Sequence, residues 1–243
     1  MVYLSRMFLN RRRRGTAKLV GSRQAMHAAV MGAFSPVALE SDPGRILWRL
    51  DRGRESLSLY ISSPTKPSFD HLQEQAGWGN EVTWATRSLD PLLDQLREGQ
   101  RYRFRLAANP VRSSSSAGKQ KRIHHVTADQ QLAWMVNKSS AIGMGLCSVE
   151  TKNSPAGPII PPDTFATPEL KRVLAELSPS AVVTERRLEV FGRQKRRVTI
   201  SVVQFDGIMT VTDAPALRRA MVDGVGRAKA YGCGLLTLSA IPD

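Results

Sequence analysis

Four histidines, two cysteines and one glycine-rich run are the residues here whose types could do chemistry. An imidazole titrates near neutrality, so it can take a proton from one oxygen and deliver one to another. His124 and His125 are adjacent and follow a basic stretch, and they read as solvated imidazoles leaning on phosphate. His71 falls inside an expected helix and reads as structural. His27 stands apart: on a helix, Met26, Val30 and Ala33 share the core-facing spacing, while Gln24, His27 and Met31 take the neighbouring flank. Spacing alone leaves two readings of His27 open, a packed histidine at the rim of a core or a proton carrier beside phosphate, one turn from Arg23. Cys147 and Cys233 have no metal-ligand spacing and read as two reduced thiols.

The run Gly224-Val225-Gly226-Arg227-Ala228-Lys229-Ala230-Tyr231-Gly232-Cys233-Gly234 has the form G-φ-G-x5-G-φ-G. A dinucleotide fingerprint would need glycine where Lys229 stands. Such glycines serve a helix end plus a bulge entering a strand, or the close approach of backbone N–H groups to a phosphate. The sequence has no carboxylate cluster of the kind two-metal nucleases use, no G-x-x-x-x-G-K-[ST] loop and no base-stacking aromatic strand. No metal or cofactor is therefore expected. RNA can be cut without metal, because its own 2′-OH attacks the adjacent phosphate once a base, an acid and cations are in place.

Charge points to the same class of partner. The chain has 243 residues with 35 Lys+Arg against 21 Asp+Glu, a net +14. Residues 1–23 carry seven basic side chains and no acid, and residues 101–125 carry seven more and again no acid. Residues 186–197 carry six against Glu189 alone, so the rest of the chain is mildly acidic on balance. This division favours one phosphate-binding surface over scattered solvated loops. An acidic protein or a lipid surface as partner does not call for basic segments dispersed so widely. No apolar run reaches the roughly eighteen residues of a membrane span. The N-terminal arginines follow the apolar stretch, the wrong order for a secretory signal. A cytoplasmic protein without a membrane partner is the expectation.

The elements that must position these groups come in a repeated order. Period-two alternation in VYLSRMFL predicts a strand, and Ser22 caps a helix running to about Phe34, stopped by Ser35-Pro36. RILWRL and SLSLYI predict two strands, Ser68 to about Gln75 a helix closed by Gly77, and EVTWAT a fourth strand. After a connector the order restarts. RYRFRLAANP predicts a strand with Arg101, Arg103 and Arg105 on one face, and TADQQLAWMVNKS a helix. VTERRLEVFG and RRVTISVVQFDG form a hairpin, DAPALRRAMVDGV a helix capped by Asp213, and LLTLSAI the last strand. VRSSSSAGKQKR reads as a basic loop and NSPAGPIIPPDTFATP as an insertion. The fold class is α+β, two tandem ferredoxin-like (RRM-like) βαββαβ domains, at 1–92 and 99–243.

These segments resemble the CasE family, the CRISPR RNA-processing endoribonucleases of type I-E systems within the RAMP superfamily. YLSRMFLN, the Met26-His27 helix, YRFRLAANPV, QLAWM, FDGIMTVTDAPAL and GVGRAKAYGCGLLTL carry the resemblance, and residues 140–185 match poorly. It implies metal-independent cleavage of the CRISPR repeat stem-loop by 2′-OH attack, leaving a 2′,3′-cyclic phosphate or 3′-phosphate. It also implies that the product stays bound, within the multi-subunit type I-E surveillance complex. The family's catalytic histidine falls on His27 and its catalytic tyrosine on Gln24, an amide that cannot transfer a proton at neutral pH. The tip residues Arg193, Lys195, Arg196 and Arg197 resemble the family's basic hairpin at the base of the RNA stem. Arg11, Arg12, Arg23, Lys119, Lys121, Arg122, Gly224, Gly226, Arg227 and Lys229 complete the expected RNA contacts. Gln24 keeps open an alternative, a non-cleaving RNA-binding or assembly module of the same fold.

Overall fold

Alternation at the start of the chain becomes strand β1 (Tyr3–Phe8), in which Ser5 and Met7 are buried and Arg6 faces out. The computed structural model describes residues 1–41, 44–79, 81–116, 119–146, 160, 168–193 and 196–241. The chain divides into two units, the first comprising Met1–Gln95, Glu189–Thr199 and Val222–Leu235, the second Leu96–Leu188, Ile200–Met221 and Leu236–Asp243. The described residues beside the hairpin tip and the glycine-rich run therefore belong to the first unit, although they lie far from it along the chain.

In the first unit β1 is followed by helices α1 (Arg14–Gly21), α2 (Arg23–Met31) and α3 (Pro36–Ser41). Strands β2 (Leu47–Arg52) and β3 (Leu57–Ser63), helix α4 (Asp70–Ala76), strand β4 (Trp84–Ser88) and helix α5 (Asp90–Gln95) complete it. The sheet order is β2-β3-β1-β4, with every neighbouring pair antiparallel, which is the ferredoxin-like arrangement. Met7, Leu59 and Ile61 of the sheet meet Met26 and Val30 of α2 and Phe69 and Leu72 beside and on α4 in one core. Ser22 caps α2 as its sequence indicates, accepting from Ala25 N at 3.2 Å. The helix stops at Met31, short of the expected Phe34, with Gly32 as its cap. Helix α1 was hidden from the sequence pattern. Eight residues bury only Thr16 and Leu19, too few to show a period among the arginines.

A buried ion pair ties the glycine-rich run to this sheet. Arg49 Nε meets Asp51 Oδ1 at 2.6 Å, and Arg49 Nη1 donates to the Leu235 carbonyl at 3.1 Å.

The second unit repeats the order with β5 (Arg101–Ala108), β6 (Val111–Ser116), β7 (Lys119–His124), α6 (Ala128–Ser140), β8 (Met144–Gly145) and α7 (Leu170–Leu177). Then come β9 (Ala181–Arg193), β10 (Arg196–Val211), α8 (Ala214–Asp223) and β11 (Leu236–Ser239). The sheet order is β11-β5-β10-β8, with β9 also paired to β10, so β11, β5 and β10 hold the places of β4, β1 and β3 in the first sheet. Alternation on β5 is as expected: Phe104 and Leu106 are buried, Arg101 and Arg103 exposed. Thr127 and Gln130 form a capping box on α6. Asp213 Oδ1 accepts from Ala216 N at 2.8 Å at the start of α8.

Two further expectations are corrected by the structure. The stretch VRSSSSAGKQKR is not a loop but the β6–β7 hairpin, registered from Val111↔His124 to Ser116↔Lys119. Cross-strand pairing satisfies backbone groups that polar side chains leave unadvertised. Helix α7 fills ground left unassigned, burying Leu170 and Leu174 against Ala133, Val136 and Ile160. Cys147, and the insertion at 153–168 apart from Ile160 and Pro168, lie outside the described residues.

His125 is the second of these, because it is buried, only 4% exposed, not solvated. Its N–H donates to the Pro110 carbonyl, and its own carbonyl accepts from Gln131 Nε2 at 2.9 Å. Burial, with the charges of Arg112 and His124 behind it, lowers its pKa from 6.5 to about 4. The unfolded chain then binds the proton first, so stability is complete above pH 6.5 and falls as pH drops towards 4. At pH 5 the loss is about 2 kcal/mol. Urea midpoints measured at pH 7 and pH 5 are expected to diverge for the native chain and to converge for His125→Gln. An unchanged divergence in the variant would contradict this assignment.

Candidate active site

Helix α2 carries His27 on the flank of its buried face. Met26 and Val30 are wholly buried, and the imidazole one position on is left half-buried at the rim. The ring edges against Tyr231, with centroids 6.2 Å apart and planes at 63°. Tyr231 ends a 3₁₀ turn, Lys229–Tyr231, flanked by Ala228 at φ 61° and Gly232 at φ 77°. Phe191 of β9 also packs against Tyr231, with ring centroids 4.7 Å apart. All of these residues belong to the first unit.

Below them lies a buried guanidinium. Arg23 is 5% exposed, pairs with Glu189 Oε1 at 3.2 Å and donates to the Tyr231 carbonyl at 3.4 Å. Its guanidinium carbon lies 5.7 Å from the centroid of the Trp48 ring. Trp48 Nε1 donates to the Ala230 carbonyl at 3.2 Å, so two successive carbonyls of the turn are held by side chains. Gln24, one turn before His27, has its Oε1 buried and accepts no hydrogen bond among the described residues.

The glycines are explained by this packing. A Cβ on Gly232 would stand 2.5 Å from Trp48 and 2.7 Å from Arg23, and one on Gly224 2.7 Å from Leu47. Both residues have φ of 77°, open to glycine but strained for other residues. Gly226 shares the left-handed conformation, at φ 76°. Val225 N–H is spent on the Gly234 carbonyl at 2.9 Å. Cys233 sits inside the same turn, where burial pushes its thiol up to about 12, with Arg23 opposing and Glu189 reinforcing. It stays a thiol at neutral pH and is no nucleophile.

The expected RNA contacts fall into distinct settings. Arg12 and Arg227 are exposed on the first unit, as is Arg197 near the start of β10. Arg11, though exposed, donates to the carbonyls of Gly53, Arg54 and Ser56 and so clamps the β2–β3 turn. Lys229 Nζ donates to the Asp223 carbonyl at 2.6 Å. Arg193 ends β9 and Arg196 begins β10, while Lys195 lies outside the described residues. Lys119, Lys121 and Arg122 stand on β7 and belong to the second unit. Among the described residues there is no group of three or more His, Cys, Asp and Glu that could hold a metal ion. None of their helices is long and apolar enough to cross a membrane.

Sequence reasoning passed over Glu189, Phe191, Trp48 and Tyr231 as site residues. One signal was present: Glu189 is the only acid in a segment of six basic residues, and Phe191 follows it on the same strand face.

A family model described as "CRISPR associated protein" matches residues 2–240. The CRISPR-associated endoribonuclease Cse3 of Thermus thermophilus is 30% identical over 244 residues, covering 98% of this chain and all of that protein. The CRISPR system Cascade subunit CasE of Escherichia coli is 40% identical over 55 residues, 23% of this chain and 28% of that one. A solved structure of Thermus thermophilus Cse3 bound to an RNA representing a pre-cleavage complex is similar at a TM-score of 0.73 and 25% identity, over 98% of this chain and 99% of that one.

Gly232→Ala forces a methyl group against Trp48 and Arg23 in a left-handed backbone. It is expected to cost about 2–3 kcal/mol in denaturant unfolding. Gly21→Ala, where a Cβ meets open space, should stay within about 0.5 kcal/mol of the native chain. Equal costs for the two would contradict the packing role of Gly232.

Proposed function

The chain belongs to the CRISPR associated protein family, and on that footing we propose that it is an endoribonuclease that binds the CRISPR repeat stem-loop and cleaves the precursor transcript. Its full-length similarity to an RNA-cutting relative carries this reading. The cleaved RNA stays bound, and the protein serves as a subunit of the type I-E surveillance complex, in the cytoplasm. The named CasE relative is itself a Cascade subunit.

His27 is the group that moves the proton. Its ring is half-buried and packs against Tyr231, which leaves part of its surface exposed. In the proposed reaction the 2′-OH loses its proton as its oxygen attacks the adjacent phosphorus. The 5′ oxygen leaves and gains a proton, and a 2′,3′-cyclic phosphate remains. His27 either removes the first proton or supplies the last. Cations stabilise the charge of the crowded phosphorane. Arg12, Arg197 and Arg227 are exposed on the same unit and available for that role, whereas Arg23 holds the site's framework. Duplex RNA hides its base edges in a deep, narrow major groove, so a basic surface would read the stem by shape and backbone charge. The mechanism routes no step through a metal.

Gln24 supports a second reading, an RNA-binding module that does not cut, because its amide carries no proton for transfer. Both readings predict strongly salt-dependent RNA binding. Single-turnover assays on repeat RNA separate them. The native chain is expected to cut in EDTA as fast as without it. His27→Ala should slow cleavage by about 100-fold or more while binding RNA normally. No cleavage by the native chain would favour the module. Full cleavage by His27→Ala would sink the histidine's role, and loss of cleavage in EDTA the metal-free route.

A further inference from the structure

We infer that Tyr231 is the positioning residue of this site: its ring sets the plane and reach of the His27 imidazole. The inference rests on the reading of His27 given above and extends it to a residue outside the helix.

A histidine on a helix flank can occupy more than one rotamer, and a ring packed against it selects among them. Tyr231 is such a ring, and its edge contact with the imidazole is of the tilted kind aromatic rings favour. For that contact to orient the imidazole, Tyr231 must itself be immobile. It is 8% exposed, with Phe191 packed 4.7 Å away. Its carbonyl is held by Arg23 and the preceding carbonyl by Trp48. The left-handed conformations of Ala228 and Gly232 bend the chain on either side of the turn. Glu189 and Phe191 project from one face of β9, two residues apart. One strand face thus supplies both the carboxylate that holds Arg23 and the ring that holds Tyr231. Displacing a catalytic group by about 1 Å costs on the order of 100-fold in rate, so loosening this stack should appear in the chemical step, not in RNA affinity.

Full-length Tyr231→Phe, Tyr231→Leu and Phe191→Leu chains would be assayed on a repeat stem-loop RNA. Single-turnover rates would be taken at saturating protein, and Kd measured separately by anisotropy. Tyr231→Phe keeps the ring and is expected to retain at least about half the rate. Tyr231→Leu should lose about tenfold or more with Kd within about twofold of native, and Phe191→Leu should lose less, in the same direction. Native rates in Tyr231→Leu would overturn the inference, as would weaker RNA binding with an unchanged saturated rate. A Tyr231→Phe chain as slow as Tyr231→Leu would also overturn it, because the hydroxyl and not the ring would then matter. Should Tyr231→Leu fail to fold, Phe191→Leu decides, and a native rate there overturns the proposal. An inactive His27→Ala beside a fully active Tyr231→Leu would defeat this inference alone. A fully active His27→Ala would defeat the reading beneath it.

Discussion

A guanidinium that is 5% exposed must find its counter-charge and hydrogen bonds inside the protein, and Arg23 finds them in two distant segments of sequence. Glu189 comes from β9, and the Tyr231 carbonyl from the glycine-rich turn, 208 residues away along the chain. Removing either partner would leave a buried charge undercompensated, which is costly far beyond the worth of a surface pair. The position of α2 is thereby linked to the positions of β9 and the turn. Because His27 lies one turn beyond Arg23 on that helix, the same interaction sets where the imidazole meets Tyr231. The glycines follow from it. Gly232 must lack a side chain because Trp48 and Arg23 already occupy the space.

This arrangement changes how the basic charge is understood. Several arginines hold the protein's own framework, among them Arg11 and Arg23, which the sequence suggested as RNA contacts. Arg23 and Arg49 are buried in ion pairs, Arg11 clamps a turn, and Arg105 meets Asp206 at 2.6 Å. Arginine suits such work because its planar fork serves several acceptors at once. What remains outward-facing on the first unit, including Arg12, Arg197 and Arg227, is a smaller set than the charge count suggests. A smaller set also means that each exposed cation should carry a larger share of RNA affinity.

Local pattern made much of the fold legible. The alternation in YLSRMF, the caps at Ser22, Thr127 and Asp213, and the repeated strand-helix order led to two ferredoxin-like units, and both sheets have that strand order. The β6–β7 hairpin stayed hidden because serines and lysines give no apolar alternation, and α1 because it is short and buries only Thr16 and Leu19. His27 was legible as a flank residue, but its neighbours were not. Tyr231, Phe191 and Trp48 reach the site through contacts between residues far apart in sequence, and no local spacing announces those. The glycine run was noticed as a whole, yet its purpose at Gly224 and Gly232 is visible only once Leu47 and Trp48 stand beside it.

At the centre of the proposed reaction, RNA's own 2′ oxygen is the nucleophile and the protein moves protons around it. A repeat stem-loop RNA carrying a single 2′-deoxy nucleotide immediately 5′ of the scissile phosphate tests that directly. This RNA is expected to bind with unchanged affinity and not to be cut, while the all-ribose RNA yields a fragment ending in 2′,3′-cyclic phosphate or 3′-phosphate. Cleavage of the deoxy-substituted RNA, or a product ending in 3′-OH, would contradict this chemistry.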